Sequence, residues 1–507
     1  MVSTMPGVTA PENGRQSQNV GLRPQQGVGG APNQPKARCA VPHPHLAMLG
    51  LYMGAFLGML SETSMNIALP DFKASFGISA GVAQWMVVGY MLVIGVVLPF
   101  SSLLTKWFKT RTLVFVALSS FLVGSLICAA SPSSMFGVLL AGRVIQGVST
   151  GLVLPMMFSV ILELFPLNKI GSAMGVAALV VMFAPAIGPT LSGALIAAFS
   201  WRSIFVFFAV ISVVALVCSA VWMVNPYELT RPHIDLLSCV TSVLGFGGLV
   251  LGVSLVSVLG FAWQVVLILV VGVAAIAWYS YRQLHMTAPV IDLRALAIPQ
   301  FAVGAVIVMM NFGITLATMY LMPQELQNGL GVRVALTGLV MLPGGIVNAA
   351  MSMISGRLYD IFGAKWLVRG GLALSVVGIV LLMLAGPNSA LAFVVFAHVI
   401  LMIGVPMAMN PAQSSALGAL PGNLSTDGST ILNTLQQVLG AVITAVTTIL
   451  LSAGQSGAQA AGAGKAAAFV AGCRWGFVFA LALAVIALVA SFWLKASTVS
   501  EGAVRQG

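Results

Sequence analysis

From residue 46 to 495 the chain repeats one pattern: uninterrupted apolar runs of about 20 residues, separated by short polar punctuation. A run of that length matches the hydrocarbon thickness of a bilayer when it is helical. In hydrocarbon every backbone N–H and C=O must be satisfied internally, which leaves helices or a closed barrel. Barrel strands would be shorter and would alternate polar with apolar residues, and these runs do neither. The fold class expected is therefore an all-α polytopic membrane protein. Composition agrees: 59% of the 507 residues are hydrophobic and only 7% charged, far below the charge of a soluble domain.

Fourteen spans are predicted: 46–69, 84–105, 112–130, 135–161, 172–198, 203–224, 237–259, 262–281, 299–322, 334–355, 366–385, 391–412, 428–451 and 473–495. Residues 1–45, rich in Pro, Gly, Gln and Asn, read as a disordered tail. They lack the apolar core and cleavage site of a signal peptide. The small-residue stretch 452–470 reads as a flexible loop between the last two spans. The formal net charge of +11 is carried largely by loops and tails. There it sets membrane orientation rather than nucleic-acid binding. Lys106, Lys109, Arg111, Lys169, Arg282, Arg294, Arg357, Lys365 and Arg369 fall on the side of the termini, against Lys73, Arg202, Arg333, Lys465 and Arg474 opposite. That asymmetry predicts both termini in the cytoplasm.

Several chemistries lack the residues they need. The five cysteines show no metal-type spacing, so neither zinc nor a disulfide framework is expected. Gly464-Lys465 lacks the remaining residues of a phosphate loop, so no nucleotide site is expected. No nucleophile constellation is visible, which argues against an enzyme.

Glu62 stands inside the first span. A carboxylate there costs several kcal/mol and by default marks function. Gly54, Gly58, Glu62 and Asn66 recur every fourth residue and share one helix face. The glycines let another helix approach, so this face should meet protein or a watery cavity rather than lipid. In the fourth span Arg143, Gln146 and Gly147 form R-x-x-Q-G, with Gly151 and Pro155 following. A buried arginine must find carbonyls, water or an anion; it is either a structural clamp or a charge coupled to the acid. In the fifth span Pro185, Gly188, Pro189 and Gly193 stand within A-P-A-I-G-P-T-L-S-G. The prolines should bend that helix, and the glycines should pack it closely on a neighbour.

These motifs, in this order, resemble the major facilitator superfamily in its fourteen-helix drug:proton antiporter branch. The form is closest to lincomycin- and multidrug-resistance exporters. Ser61 to Pro70 (SETSMNIALP), Trp201 to Phe205, Pro289 to Leu296 and Gly356 to Lys365 also match. The resemblance implies two six-helix halves, 46–225 and 286–495, with two added helices in 226–285 and a cytoplasmic C-terminal tail, 496–507. It also implies proton coupling through Glu62 and Arg143, and a cytoplasmic gating loop at Gly356, Asp360, Gly363 and Lys365. There are departures. Many relatives place the first-helix acid where Ser61 stands here. In the first-half copy of the gating loop, Ser102 to Arg111, Lys106 replaces the usual acid. The second-half copy is the complete one.

Further polar residues inside spans are candidates to line a substrate cavity: Gln84, Tyr90, Asn311, Asn348, His398, Asn410, Asn433 and Gln437, with Asn66 and Gln146. The function expected is proton-driven efflux of small amphipathic, including cationic, compounds across a bacterial cytoplasmic membrane. The chain would act as a monomer, without cofactor or metal. The rivals are an exporter of one endogenous metabolite on the same fold and a non-transporting membrane sensor.

Overall fold

The structure is a computed structural model that describes residues 43–226, 229, 235–260, 262–286 and 289–494. The tails expected at 1–45 and 496–507 therefore fall almost wholly outside the described residues. Every regular element described is helical.

Helix α1 (Pro44–Phe76) opens with a proline in its first turn and stops at Gly77, which takes the left-handed conformation (φ 62°). Helix α2 (Ala80–Val97) is capped by Ser79, whose hydroxyl accepts from the Val82 N–H. Helix α3 (Phe100–Trp107) continues it after a 53° bend. The single straight span expected at 84–105 is thus broken, because Pro99 removes a backbone donor and collides with the preceding turn. Then come α4 (Thr110–Ala130), α5 (Phe136–Leu164), α6 (Ile170–Ala198) and α7 (Arg202–Trp222). Helix α8 (Leu236–Ser242) runs through a π turn into α9 (Gly248–Leu259), and α10 (Trp263–His285) returns. Helix α11 (Pro299–Gln324) ends in a second π turn, Glu325–Gly329. The remaining helices are α12 (Val334–Phe362), α13 (Ala364–Leu384), α14 (Leu391–Gly418), α15 (Ser425–Ala460) and α16 (Lys465–Ala490).

Among the described residues, twelve helices are long and apolar enough to cross a membrane, and the bent α2–α3 pair makes a thirteenth. Helix α6, with its shorter apolar stretch Ile170–Pro185, supplies the remaining crossing. One expectation fails. The stretch 452–470 is not a long flexible loop: α15 continues to Ala460 and α16 begins at Lys465. Its alanines and glutamines are strong helix formers, and Gly462 (φ 86°) sits in the short turn that remains.

Helices α1, α2 and α4–α7 pack together as one group, and α11–α16 as another. The α8–α10 pair lies beside α2 and α15, with most of α10 facing outward. The Arg282 guanidinium ties this pair together, donating to both oxygens of Asp235 at 2.8 and 2.9 Å. These bonds hold the Asp235 carboxyl well below the usual carboxylate range. Fourteen crossings bring the chain back to the side it entered from. The end that holds Pro44 and Trp493 is called proximal below, and the other distal.

Candidate functional site

Glycines set how closely the helices approach. A Cβ at Gly58 would lie 2.6 Å from the Thr150 side chain, and one at Gly54 would lie 2.9 Å from Leu118 and 3.2 Å from Val153. Helix α1 therefore turns its glycine face onto α4 and α5, as the spacing of that face predicts. On the other side Gly147 and Gly151 admit α2, through Val93 and Val97. Tyr90 of α2, fully buried, donates to the Gly58 carbonyl at 2.9 Å and bonds Thr150 Oγ1 at 2.6 Å.

Arg143 lies at the centre of this junction and is fully buried. Its Nε donates to the Met86 carbonyl at 3.2 Å. Its Nη1 donates to Ser61 Oγ at 2.5 Å and to Gln146 Oε1 at 2.8 Å. Gln146 is itself held by Ser125, at 2.7 Å. The guanidinium stacks 3.9 Å over the Tyr90 ring, a cation–π contact. Its Nη2 makes no hydrogen bond.

Glu62 stands one residue further on α1. It is half-buried, and its Oε2 is shut away from solvent with no hydrogen-bond partner. It lies within Coulombic reach of Arg143 but forms no ion pair with it. The arginine thus holds Ser61, the position at which the family resemblance leads one to expect the acid, while Glu62 is left without a bond to it. Successive helical residues point about 100° apart, which is why Ser61 meets α5 and Glu62 does not. Ser61 and Thr150 are the site residues that sequence reasoning missed. The departure at position 61 was the available signal.

Helix α6 flanks the same region. A Cβ at Gly188 would run into Thr63 of α1, whereas one at Gly193 would meet nothing within 4 Å. The close packing expected of both glycines therefore holds for Gly188 alone. Helix α6 runs on through Pro185 and Pro189 as one helix. Only the backbone is described for Asn66 and Pro189; Asn66 follows Glu62 by one turn of α1.

The other cavity candidates divide. In the second group Asn410 donates to the Ser352 carbonyl and to Ser355, at 3.0 and 3.1 Å. Asn348 donates to the Met402 sulfur, and Asn311 to the Val405 carbonyl. Asn433 bonds its own helix at Ser429. Asn410, Asn348 and Asn311 thus hold helices together, the common use of polar groups in hydrocarbon. His398 is buried against Gly344, and its Nδ1 has no partner. Gln84 and Gln437 are half-buried.

At the proximal end Asp360 of α12 accepts from the backbone N–H groups of Gly171 and Ser172, both at 2.8 Å. An anion there satisfies orphan donors and complements the helix dipole of α6. Gly356 makes the approach possible, since a Cβ on it would strike the Gly171 backbone. Gly363 (φ 73°) turns the chain after α12, a conformation that glycine alone adopts readily. Lys365 lies 5.9 Å from the Trp366 ring. Gly356→Val is expected to wedge α6 from α12. Overpacking by this much costs about 1–3 kcal/mol, and that shifts a two-state equilibrium roughly 5- to 150-fold. Faster thiol labelling of a cysteine at position 172 would register the opening, and an unchanged rate would contradict it.

The first-half copy of this loop makes a contact of reversed polarity. Lys106 of α3 donates to both oxygens of Asp427, in the first turn of α15, at 3.0 and 2.7 Å. Ser102 also bonds that carboxylate, Ser101 bonds Thr430 at 3.0 Å, and Ser429 donates to the Pro155 carbonyl at 2.8 Å. A negative charge therefore sits at the start of both α6 and α15. For α6 it is lent by the other half; for α15 it is the helix's own, and Lys106 bridges to it. All of these side-chain bonds between the halves lie toward the proximal end. Asp427 went unnoticed in the sequence, although an acid opening a span opposite an unusual lysine is a readable signal.

The pattern of the Major Facilitator Superfamily matches residues 51–445. The chain belongs to the major facilitator superfamily. It is 42% identical over 449 residues to the lincomycin resistance protein LmrB of Listeria monocytogenes, covering 87% of this chain and 95% of that protein. To the protein of the same name from Bacillus subtilis it is 41% identical over 457 residues, covering 88% and 95%. A multidrug resistance protein B homolog of Mycobacterium tuberculosis is 26% identical over 411 residues, covering 79% and 75%. Among solved structures, a double-tryptophan mutant of XylE superposes with a TM-score of 0.65 at 14% identity, covering 91% of this chain and 99% of that one. The human organic anion transporter MFSD10 gives 0.62 at 14% identity, covering 90% and 100%. These two structures bear on fold alone. As a superfamily member of the drug-exporter branch, the chain is a multi-pass membrane transporter and not an enzyme.

Proposed function

We propose that this transporter exports small amphipathic compounds, cationic ones included, from the bacterial cytoplasm in exchange for protons. The observation that carries the reading is the pair of unsatisfied groups at the α1–α5 junction: a buried Glu62 oxygen and a buried Arg143 Nη2, each without a hydrogen bond. A buried charged group left unpaired is costly, and in membrane spans such groups attend ion pathways and proton relays. Glu62 can take up a proton as one state of the cycle and release it in the other. Arg143, anchored on Ser61, Gln146 and Met86, supplies a fixed positive field. A cationic substrate favours the deprotonated acid, and protonation releases that substrate. The named activities of the relatives, lincomycin and multidrug resistance, support efflux as the direction.

With the termini in the cytoplasm, the bonded proximal end is the cytoplasmic gate, and the structure corresponds to a state closed on that side. A cysteine replacing Lys465 is then expected to label from outside, and one near the C-terminus only after permeabilisation. Labelling of both from one side would contradict that orientation. The function itself is tested by accumulation of dyes and antibiotics in everted vesicles carrying this protein, with and without an imposed pH gradient. Gradient-dependent movement of several unrelated amphiphiles is expected. Transport confined to one metabolite would favour the narrower exporter, and none at all would overturn the reading.

A further inference from the structure

Among the described residues two carboxylates inside spans have a buried oxygen with no hydrogen bond: Glu62, and Glu325 in the second half. Glu325 is 1% exposed. It opens the π turn at the end of α11, two residues after Pro323, and the Leu330 N–H closes that turn on the Glu325 carbonyl at 3.0 Å. Such π turns are rare and recur at functional sites. Gly329 leaves room for the side chain: a Cβ there would sit 3.6 Å from Glu325 Cγ and 2.7 Å from Val470 of α16.

Its surroundings repeat those of Glu62. Each acid is on the first helix of its half. Each has an arginine of another helix within Coulombic reach but unbonded to it, Arg143 for Glu62 and Arg474 for Glu325. Arg474 spends a hydrogen bond on the Ala385 carbonyl at 3.1 Å. The other titratable or charged groups on the elements packed here are few. Helix α16 adds Cys473 and, at its exposed start, Lys465, α11 adds the half-buried Tyr320, and the start of α12 adds the exposed Arg333, while Arg357 and Asp360 lie at the far end of α12. No partner quenches the carboxylate, and its cost in hydrocarbon is high.

We propose that Glu325 is a second proton-binding carboxylate, so that each half carries one on its first helix. Helices α1 and α11 both start at the proximal end. Glu62 lies 18 residues past Pro44 and Glu325 26 residues past Pro299, so Glu325 is nearer the distal surface by ~12 Å of helix rise. It is the shallower of the two acids on the side where protons would be taken up. The step is simple protonation: a proton leaves water for the carboxylate oxygen on loading and returns to water on release. The role in transport rests on the proton-coupled reading above; the protonation itself does not.

Infrared titration of the purified, lipid-reconstituted protein tests it, with the proton as the only ligand. Wild type is expected to show two buried carboxylic-acid carbonyl bands that appear and vanish with pH. Glu325→Gln should remove one and keep the band that Glu62→Gln removes. Arg474→Gln, which leaves the acid in place, should move the midpoint of the Glu325 band alone. Identical titrations of wild type, Glu325→Gln and Arg474→Gln would overturn the proposal. If substrate moves with no change in the proton gradient, the proton-coupled reading fails while the infrared result still decides Glu325.

Discussion

Glu62→Gln is expected to reduce efflux driven by a pH gradient to background while leaving insertion and folding intact. The carboxyl Oε2 accepts no hydrogen bond, so the amide takes away no structural contact. Glutamine keeps the shape and loses the charge, so what disappears is the capacity to alternate between protonation states. Arg143 keeps its partners, because its bonds go to Ser61, Gln146 and Met86. Glu62→Asp keeps the acid on a shorter stem and should retain part of the activity. Equal expression with full gradient-driven efflux by Glu62→Gln would move the coupling elsewhere.

Lys106→Ala is expected to open the proximal end. Asp427 is 1% exposed, and Lys106 is its one cationic partner among the described residues. Removing one member of a buried ion pair costs about 3–5 kcal/mol, since the remaining charge is stranded. That penalty falls on the closed state, where the two halves touch, and spares the open one. Spin-label distances across α3 and α15 should lengthen in the variant. The exchanged pair, Lys106→Asp with Asp427→Lys, should recover only part of the closure, because a cation in the first turn of α15 opposes the helix dipole. Distances unchanged in Lys106→Ala would show that the serine bonds and the Asp360 cap hold this end alone.

Much of the fold was legible because hydrocarbon leaves a chain few choices. Run length gave the crossings, and the four-residue spacing of Gly54 and Gly58 gave the face of α1 that meets other helices. What was not legible depended on three-dimensional detail. Pro99 broke a span that hydropathy alone read as continuous. The Ala- and Gly-rich stretch after residue 452 kept its helical conformation, since alanine propensity outweighed the glycines. At the site, R-x-x-Q-G pointed to Arg143 and Gln146 but not to the partner of the arginine. The choice of Ser61 over Glu62 turns on helix phase. Asn311, Asn348 and Asn410 bond neighbouring helices, because a buried amide in hydrocarbon bonds whatever lies nearest. The Lys106–Asp427 contact joins residues more than three hundred positions apart, and charge complementarity was the only sign of it.

Proton flux coupled to substrate movement is the most direct measure of antiport. Everted vesicles carrying the transporter are given a stable internal acid gradient, followed with a pH-sensitive dye, and then a transported antibiotic or cationic dye is added. The expected result is a prompt partial collapse of the gradient on addition, absent in Glu62→Gln vesicles that hold the same gradient. Substrate movement by the wild-type protein with no change in the gradient would contradict proton exchange outright.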